Sequence, residues 1–152
     1  MLDITIIAVG KVKEAYWRDA LAEYQKRLSP YGRFKILEVE AAPFNAKTKS
    51  QAQEKEALKI EAAISRNPGR TVYLLAERGR EFDSLTLADH LNKKQPLALV
   101  IGGALGFSAS LYEKYPQLSL GRLTMPHELA RVVLLEQLYR AATILNQKDY
   151  HY

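Results

Sequence analysis

The sequence predicts an α/β domain built on a mostly parallel sheet with helices on both faces. Two observations carry that expectation. Apolar, β-branched runs alternate with segments of helical spacing along the chain, the pattern of strand–helix–strand units. Two of those runs, residues 71–77 and 96–103, are apolar on both faces, as strands covered from both sides must be.

Residues 3–9 (DITIIAV) read as a buried strand closed by Gly10. Trp17, Ala20, Leu21, Tyr24 and Leu28 recur at helical spacing, and Ser29-Pro30 ends that helix. Phe34, Ile36 and Val39 support a second strand over 33–40. Ser50 and Gln53 have the spacing of a capping box, opening a helix with Ala57, Leu58, Ile60 and Ile64 on its apolar positions. Asn67-Pro68-Gly69 breaks it. TVYLLAE (71–77) is the third strand, and Arg78-Gly79-Arg80 reads as the turn that follows. A short helix around Leu85, Leu87 and Leu91 leads to strand four, and Ser108–Tyr115 reads as another short helix. Gln117–Leu120 is a fifth short strand. From His127 to Leu145 the spacing predicts one long helix, with Pro126 at its start.

The chain has 152 residues and a formal net charge of +5, with no linker or repeat, so a single domain over 1–152 is expected. The absence of cysteine excludes a disulfide framework, a thiolate metal site and a cysteine nucleophile. Asp3 stands where a signal peptide carries positive charge, and no apolar run approaches a membrane span. A cytoplasmic protein with no membrane partner and no bound metal is expected. The charge surplus lies mostly in the first half and is compatible with a polyanionic partner without requiring one.

In a parallel sheet, ligands bind beyond the carboxyl ends of the strands. Gly102-Gly103-Ala104-Leu105-Gly106 occupies such an end and matches neither a P-loop nor a dinucleotide fingerprint. It is either a plain tight turn or a place where backbone approaches a ligand. The same two readings apply to Gly121-Arg122-Leu123-Thr124-Met125-Pro126, which feeds the last helix. That helix is apolar around most of its circumference, so it is central to the monomer or packs on a partner as well. Arg131 and Arg140 on it need carboxylates or a bound anion, and Glu136 is placed to pair with Arg140. The tail, with Tyr150-His151-Tyr152, reads either as a frayed end or as stacking surface for an unpaired base.

Several segments together resemble one family. They are IIAVGKVKE-x-YW near the start, AEY-x-KRL, VIGG-x-x-G, and above all TMPHELARVVLLEQLYRA-x-x-I, ending in YH. In order and spacing they are similar to the RlmH family of ribosomal RNA methyltransferases, of the SPOUT class, over essentially the whole chain. Ala104-Leu105 departs from the pair more usual inside the glycine turn.

The resemblance implies an α/β knot, in which the C-terminal part threads an earlier loop, an exception to the usual avoidance of threading. It implies a homodimer that uses S-adenosylmethionine to methylate N3 of a pseudouridine in 23S RNA of the assembled large subunit. Carried over by position, the cofactor residues are Leu74, Gly103, Gly121, Arg122, Leu123, Thr124, Met125 and Pro126. The expected catalytic groups are Arg140 and His151, with Tyr150 for stacking and Arg131 for phosphate. The helix 127–145 is expected to form much of the dimer interface through Leu134, Leu138 or their neighbours. A tRNA methyltransferase and a non-catalytic ribosome-binding factor are the rival readings; DNA is not an expected partner.

Overall fold

A computed structural model describes residues 1–152. In chain order the elements are β1 (Leu2–Val9), α1 (Ala15–Leu28), β2 (Gly32–Val39), α2 (Lys49–Ser65) and β3 (Thr71–Arg80). There follow α3 (Ser84–Lys93), β4 (Leu97–Ile101), α4 (Ala109–Lys114), β5 (Gln117–Leu118) and α5 (His127–Leu145). All five strands join one sheet in the order β2-β1-β4-β3-β5, every pair parallel.

Alternation along the central strands explains the two layers. Ile4, Ile6 and Ala8 of β1 with Leu97, Leu99 and Ile101 of β4 face the core shared with α1, α3 and α5. Ile7 and Val9 with Ala98 and Val100 point the other way, onto Ala57, Ile60 and Ala63 of α2. Period-two alternation between two apolar environments requires strands apolar throughout, which is how 71–77 and 96–103 read.

Three local expectations are corrected. Arg78-Gly79-Arg80 is not a turn but the continuation of β3. Leu118 and Ser119 supply its partner, with the Ser119 amide donating to the Arg80 carbonyl at 2.9 Å. A Cβ on Gly79 would stand 2.8 Å from the backbone of Gln117 and Leu118, so the approach needs glycine. The capping box does not form, because α2 begins at Lys49 and no side chain caps it. Gln53 instead donates to the Leu105 carbonyl at 2.8 Å, tying α2 to the glycine turn after β4.

The third correction concerns α5. Leu134 and Leu138 are 2% and 1% exposed within the single chain, in the core beneath α1 and α3. Their burial needs no partner. The apolar residues of α5 left half-buried and outside that core are Leu129 and Val133, one turn apart. Beyond Leu145 the helix closes on a left-handed Gln147 (φ 53°), with the amides of Gln147 and Lys148 donating to Ile144 and Thr143 carbonyls. This is a Schellman ending without glycine. It turns the tail back along α5.

Candidate cofactor and substrate sites

β4 is buried along its whole length and delivers Gly102 and Gly103 at its carboxyl end. A Cβ on Gly102 would meet the Phe107 ring at 3.3 Å, and one on Gly103 would meet Val9 at 3.0 Å. The Gly106 amide closes the turn on the Gly103 carbonyl at 3.1 Å. α2 braces this turn from behind. Besides the Gln53 bond, Glu56 is buried, and one of its oxygens accepts from the Ala42 amide at 2.9 Å.

The second loop starts at Ser119, whose hydroxyl accepts from the Gly121 amide at 3.0 Å and lies 3.1 Å from the Glu77 carbonyl. Gly121 has φ +145°, a conformation that favours glycine. The chain then passes Thr124, Met125 and Pro126 into the first turn of α5. The two loops face each other across a cavity of about 500 Å³. Leu75, Ile101, Leu120, Met125 and Ala130 are in its apolar wall, and Glu77, Tyr112, Thr124 and His127 bring polar groups to it. The amides of residues 103–105 and 122–125 find no acceptor within the chain and remain available as donors. A wider polar groove of about 1120 Å³ adjoins the cavity, sharing Ala76, Glu77, Tyr112 and Thr124 with it.

Residues 2–151 match the family model described as predicted SPOUT methyltransferase. The chain belongs to this family. It is therefore an enzyme of the methyl-transferring class, and SPOUT methyltransferases use S-adenosylmethionine as methyl donor.

The cavity fits that cofactor. Its volume lies in the range of small-molecule sites, an apolar wall suits the purine face, and unpaired amides on both loops can donate to ring nitrogens and hydroxyls. The glycines leave room that side chains would fill. Six of the SPOUT cofactor positions named from sequence line this cavity: Gly103, Gly121, Leu123, Thr124, Met125 and Pro126. The other two do not. Leu74 is fully buried in the core under α2, with its amide bonded to the Pro116 carbonyl at 2.9 Å. Strand alternation brings its neighbour Leu75 to the cavity instead. Arg122 turns into the polar groove and pairs with Glu81 at 3.0 Å, largely in solvent.

Arg131 is corrected outright as a phosphate ligand. Its guanidinium is 2% exposed, pairs with Glu38 at 2.6 Å and donates to the Gly10 and Val9 carbonyls at 2.6 and 3.4 Å. It fastens the carboxyl ends of β1 and β2 to α5, and its one unpartnered donor, Nε, is buried away from any phosphate outside.

The remaining candidates come together, but away from the cavity. Arg140 donates to Glu136 at 2.8 Å, lies 3.2 Å from His151 Nδ1 and sits 4.9 Å over the Tyr150 ring. The Tyr150 hydroxyl donates to Glu136 at 3.0 Å, and burial together with that carboxylate pushes it up to about 12. Counting 1.5 Å per residue, Arg140 stands about 15 Å along the axis of α5 from Ala130 in the cavity wall.

His127 was missing from the candidate set although it lines the cavity. Burial, then the positive charge of Arg131, lowers its pKa, so it presents neutral imidazole there. The signal was its position next to Pro126, at the end of the glycine loop.

Proposed function

We propose that this SPOUT methyltransferase transfers a methyl group to N3 of a pseudouridine in 23S ribosomal RNA, working as a homodimer on assembled large subunits in the cytoplasm. The observation that carries the reading is the convergence of both glycine loops on one cavity, in a chain matched to the family over residues 2–151. The threaded C-terminal knot belongs to this reading.

Bound S-adenosylmethionine would supply an electrophilic methyl on a sulfonium sulfur. To take up that methyl, N3 would have to give up its imide proton to solvent or a nearby base. The chain's own contribution is position and charge. Gly103, Gly121 and the apolar wall hold the donor end. A cation beside N3 favours its deprotonated form, each pKa unit of depression corresponding to about 1.4 kcal/mol. Arg140 with His151 is the group of that kind beside the stacking surface of Tyr150. Methyl transfer needs reacting atoms about 3–3.5 Å apart. Arg140 therefore acts at the cavity of a second copy, which the half-buried Leu129 and Val133 would receive along α5.

Labelled methyl transfer compared on tRNA, isolated ribosomal RNA and large subunits lacking the modification tests the proposal. Incorporation at N3 of pseudouridine in large subunits is expected, and Gly103→Ala should abolish both it and the calorimetric heat of cofactor binding. Transfer to tRNA instead would overturn the substrate. Absence of cofactor binding by the unaltered protein would leave a ribosome-binding factor.

A further inference from the structure

The loop after β1 and the first turn of α1 carry an aromatic and basic ridge that neither the cavity nor the core uses. Lys11, Lys13 and Tyr16 are exposed, Tyr16 to 61%, and Tyr16 packs edge-on to the half-buried Trp17 with ring centres 5.0 Å apart. Neither lysine makes an ion pair, although Glu14 and Asp19 are close in sequence. Arg18 folds back and donates to the Lys13 and Val12 carbonyls at 2.9 and 3.3 Å, which holds the loop in shape. An exposed tyrosine against a tryptophan at the start of α1, preceded by unpaired lysines on the loop, adds nothing evident to stability.

The ridge is fixed beside the cavity by α5. The Glu128 carboxylate accepts from the amides of Lys13 and Glu14, and Arg131 donates to the Gly10 carbonyl just before the ridge. His127, next to Glu128, lines the cavity, and its ring lies 3.4 Å from where a Cβ on Gly10 would stand. The positive charge of Lys13 also helps to keep that imidazole neutral. The loop that bears the two lysines therefore adjoins the His127 end of the cavity.

We propose that Lys11, Lys13, Tyr16 and Trp17 dock the unpaired RNA strand that flanks the methylated nucleotide. A base stacks on Tyr16 and the two lysines hold backbone phosphates. Stacking on aromatic side chains with cations alongside is how unpaired strands are bound, whereas a duplex keeps its bases inside. Two lysines give modest affinity, in keeping with a substrate that must also be released. The inference rests on the RNA reading above.

The test uses the full-length protein as Tyr16→Ala and as Lys11→Ala/Lys13→Ala, with unmodified large subunits, an unstructured RNA oligonucleotide and a duplex RNA as probes. Subunit and oligonucleotide binding should weaken about 5- to 150-fold for Tyr16→Ala. For the double lysine variant the logarithmic salt dependence should fall by roughly 1.4 to 1.8. Cofactor affinity, sedimentation and weak duplex binding should not change. RNA binding by the parent with undiminished binding by both variants would overturn the ridge and leave the RNA reading standing. Failure of the parent to bind any RNA would sink both. A shift in sedimentation would make the ridge a contact between two copies and overturn it as well.

Discussion

Two histidines are kept neutral by their surroundings, and this links single residues to stability. His90 is depressed by burial first and by Arg80 second. It lies 3.0 Å from the Tyr73 hydroxyl and packs at 4.6 Å on Phe82. His127 is depressed by burial and Arg131. A histidine whose folded pKa lies below its ordinary value of 6.5 takes up protons more readily in the unfolded chain. Its contribution is present in full above that value and is lost as pH falls from about 6.5 toward the folded pKa. Asp3, held down chiefly by Arg70, and Glu128, held down by the Lys13 amide, lose theirs only in the lower carboxylate range. The denaturant midpoint should therefore fall between pH 7.5 and 5.5, and more shallowly in His90→Gln. Equal slopes for parent and variant would remove His90 from this account. Arg131 shows the limit of reading at this scale. Its need for partners was legible from its apolar helix. Glu38 and the Gly10 carbonyl as those partners were not, because they lie on elements more than ninety residues earlier.

At the scale of elements, strand and helix alternation was legible because each apolar period is local. What escaped was set by distant chain. Arg78-Gly79-Arg80 has turn composition, yet it extends β3 because Gln117–Ser119 comes alongside. Gln53 has capping spacing, yet a carbonyl on the glycine turn captures it. Helix α5 is the most consequential case. Its broad apolar surface was visible in sequence, but periodicity cannot say which side meets its own core and which side a partner. The structure shows which side meets its own core and leaves Leu129 and Val133 outside it, and with the proposed dimer this gives a paired prediction. Leu138→Asp would bury a charge among Leu134, Leu135 and Ala141, so insoluble or unfolded chain is expected. Val133→Asp, half-buried and outside that core, should fold with an unchanged circular dichroism spectrum and sediment as a monomer. A folded, dimeric Val133→Asp would move the interface off this face of α5.

At the scale of the whole molecule, the cavity and the Arg140–His151 cluster occupy different ends of α5, and the proposed dimer is what would bring them together. The cavity was legible wherever glycine and proline marked a loop. The tail's place was not, since a left-handed Gln147 directs it and that residue type rarely marks such a turn. In the single chain Tyr150, His151, Arg140 and Glu136 form one bonded cluster, with Tyr150 also packed at 4.7 Å on Tyr139. Removing residues 149–152 leaves the Lys148 amide on the Thr143 carbonyl, so the end of α5 is preserved. The truncated protein should fold, dimerise and bind cofactor nearly as before, and fail to methylate large subunits. Dimers mixed between this truncation and Gly103→Ala then decide which chain's tail serves which cavity. If the tail acts across the two-fold axis, each mixed dimer keeps one intact site, made from the truncated chain's cavity and the other chain's tail. Equal random mixing should then restore about a quarter of the sites of the unaltered dimer. If the tail serves its own cavity, no site in a mixed dimer is whole. Confirmed heterodimers without activity would then place Arg140 and His151 at the cavity of their own chain, which would require the tail and α5 to rearrange by about 15 Å.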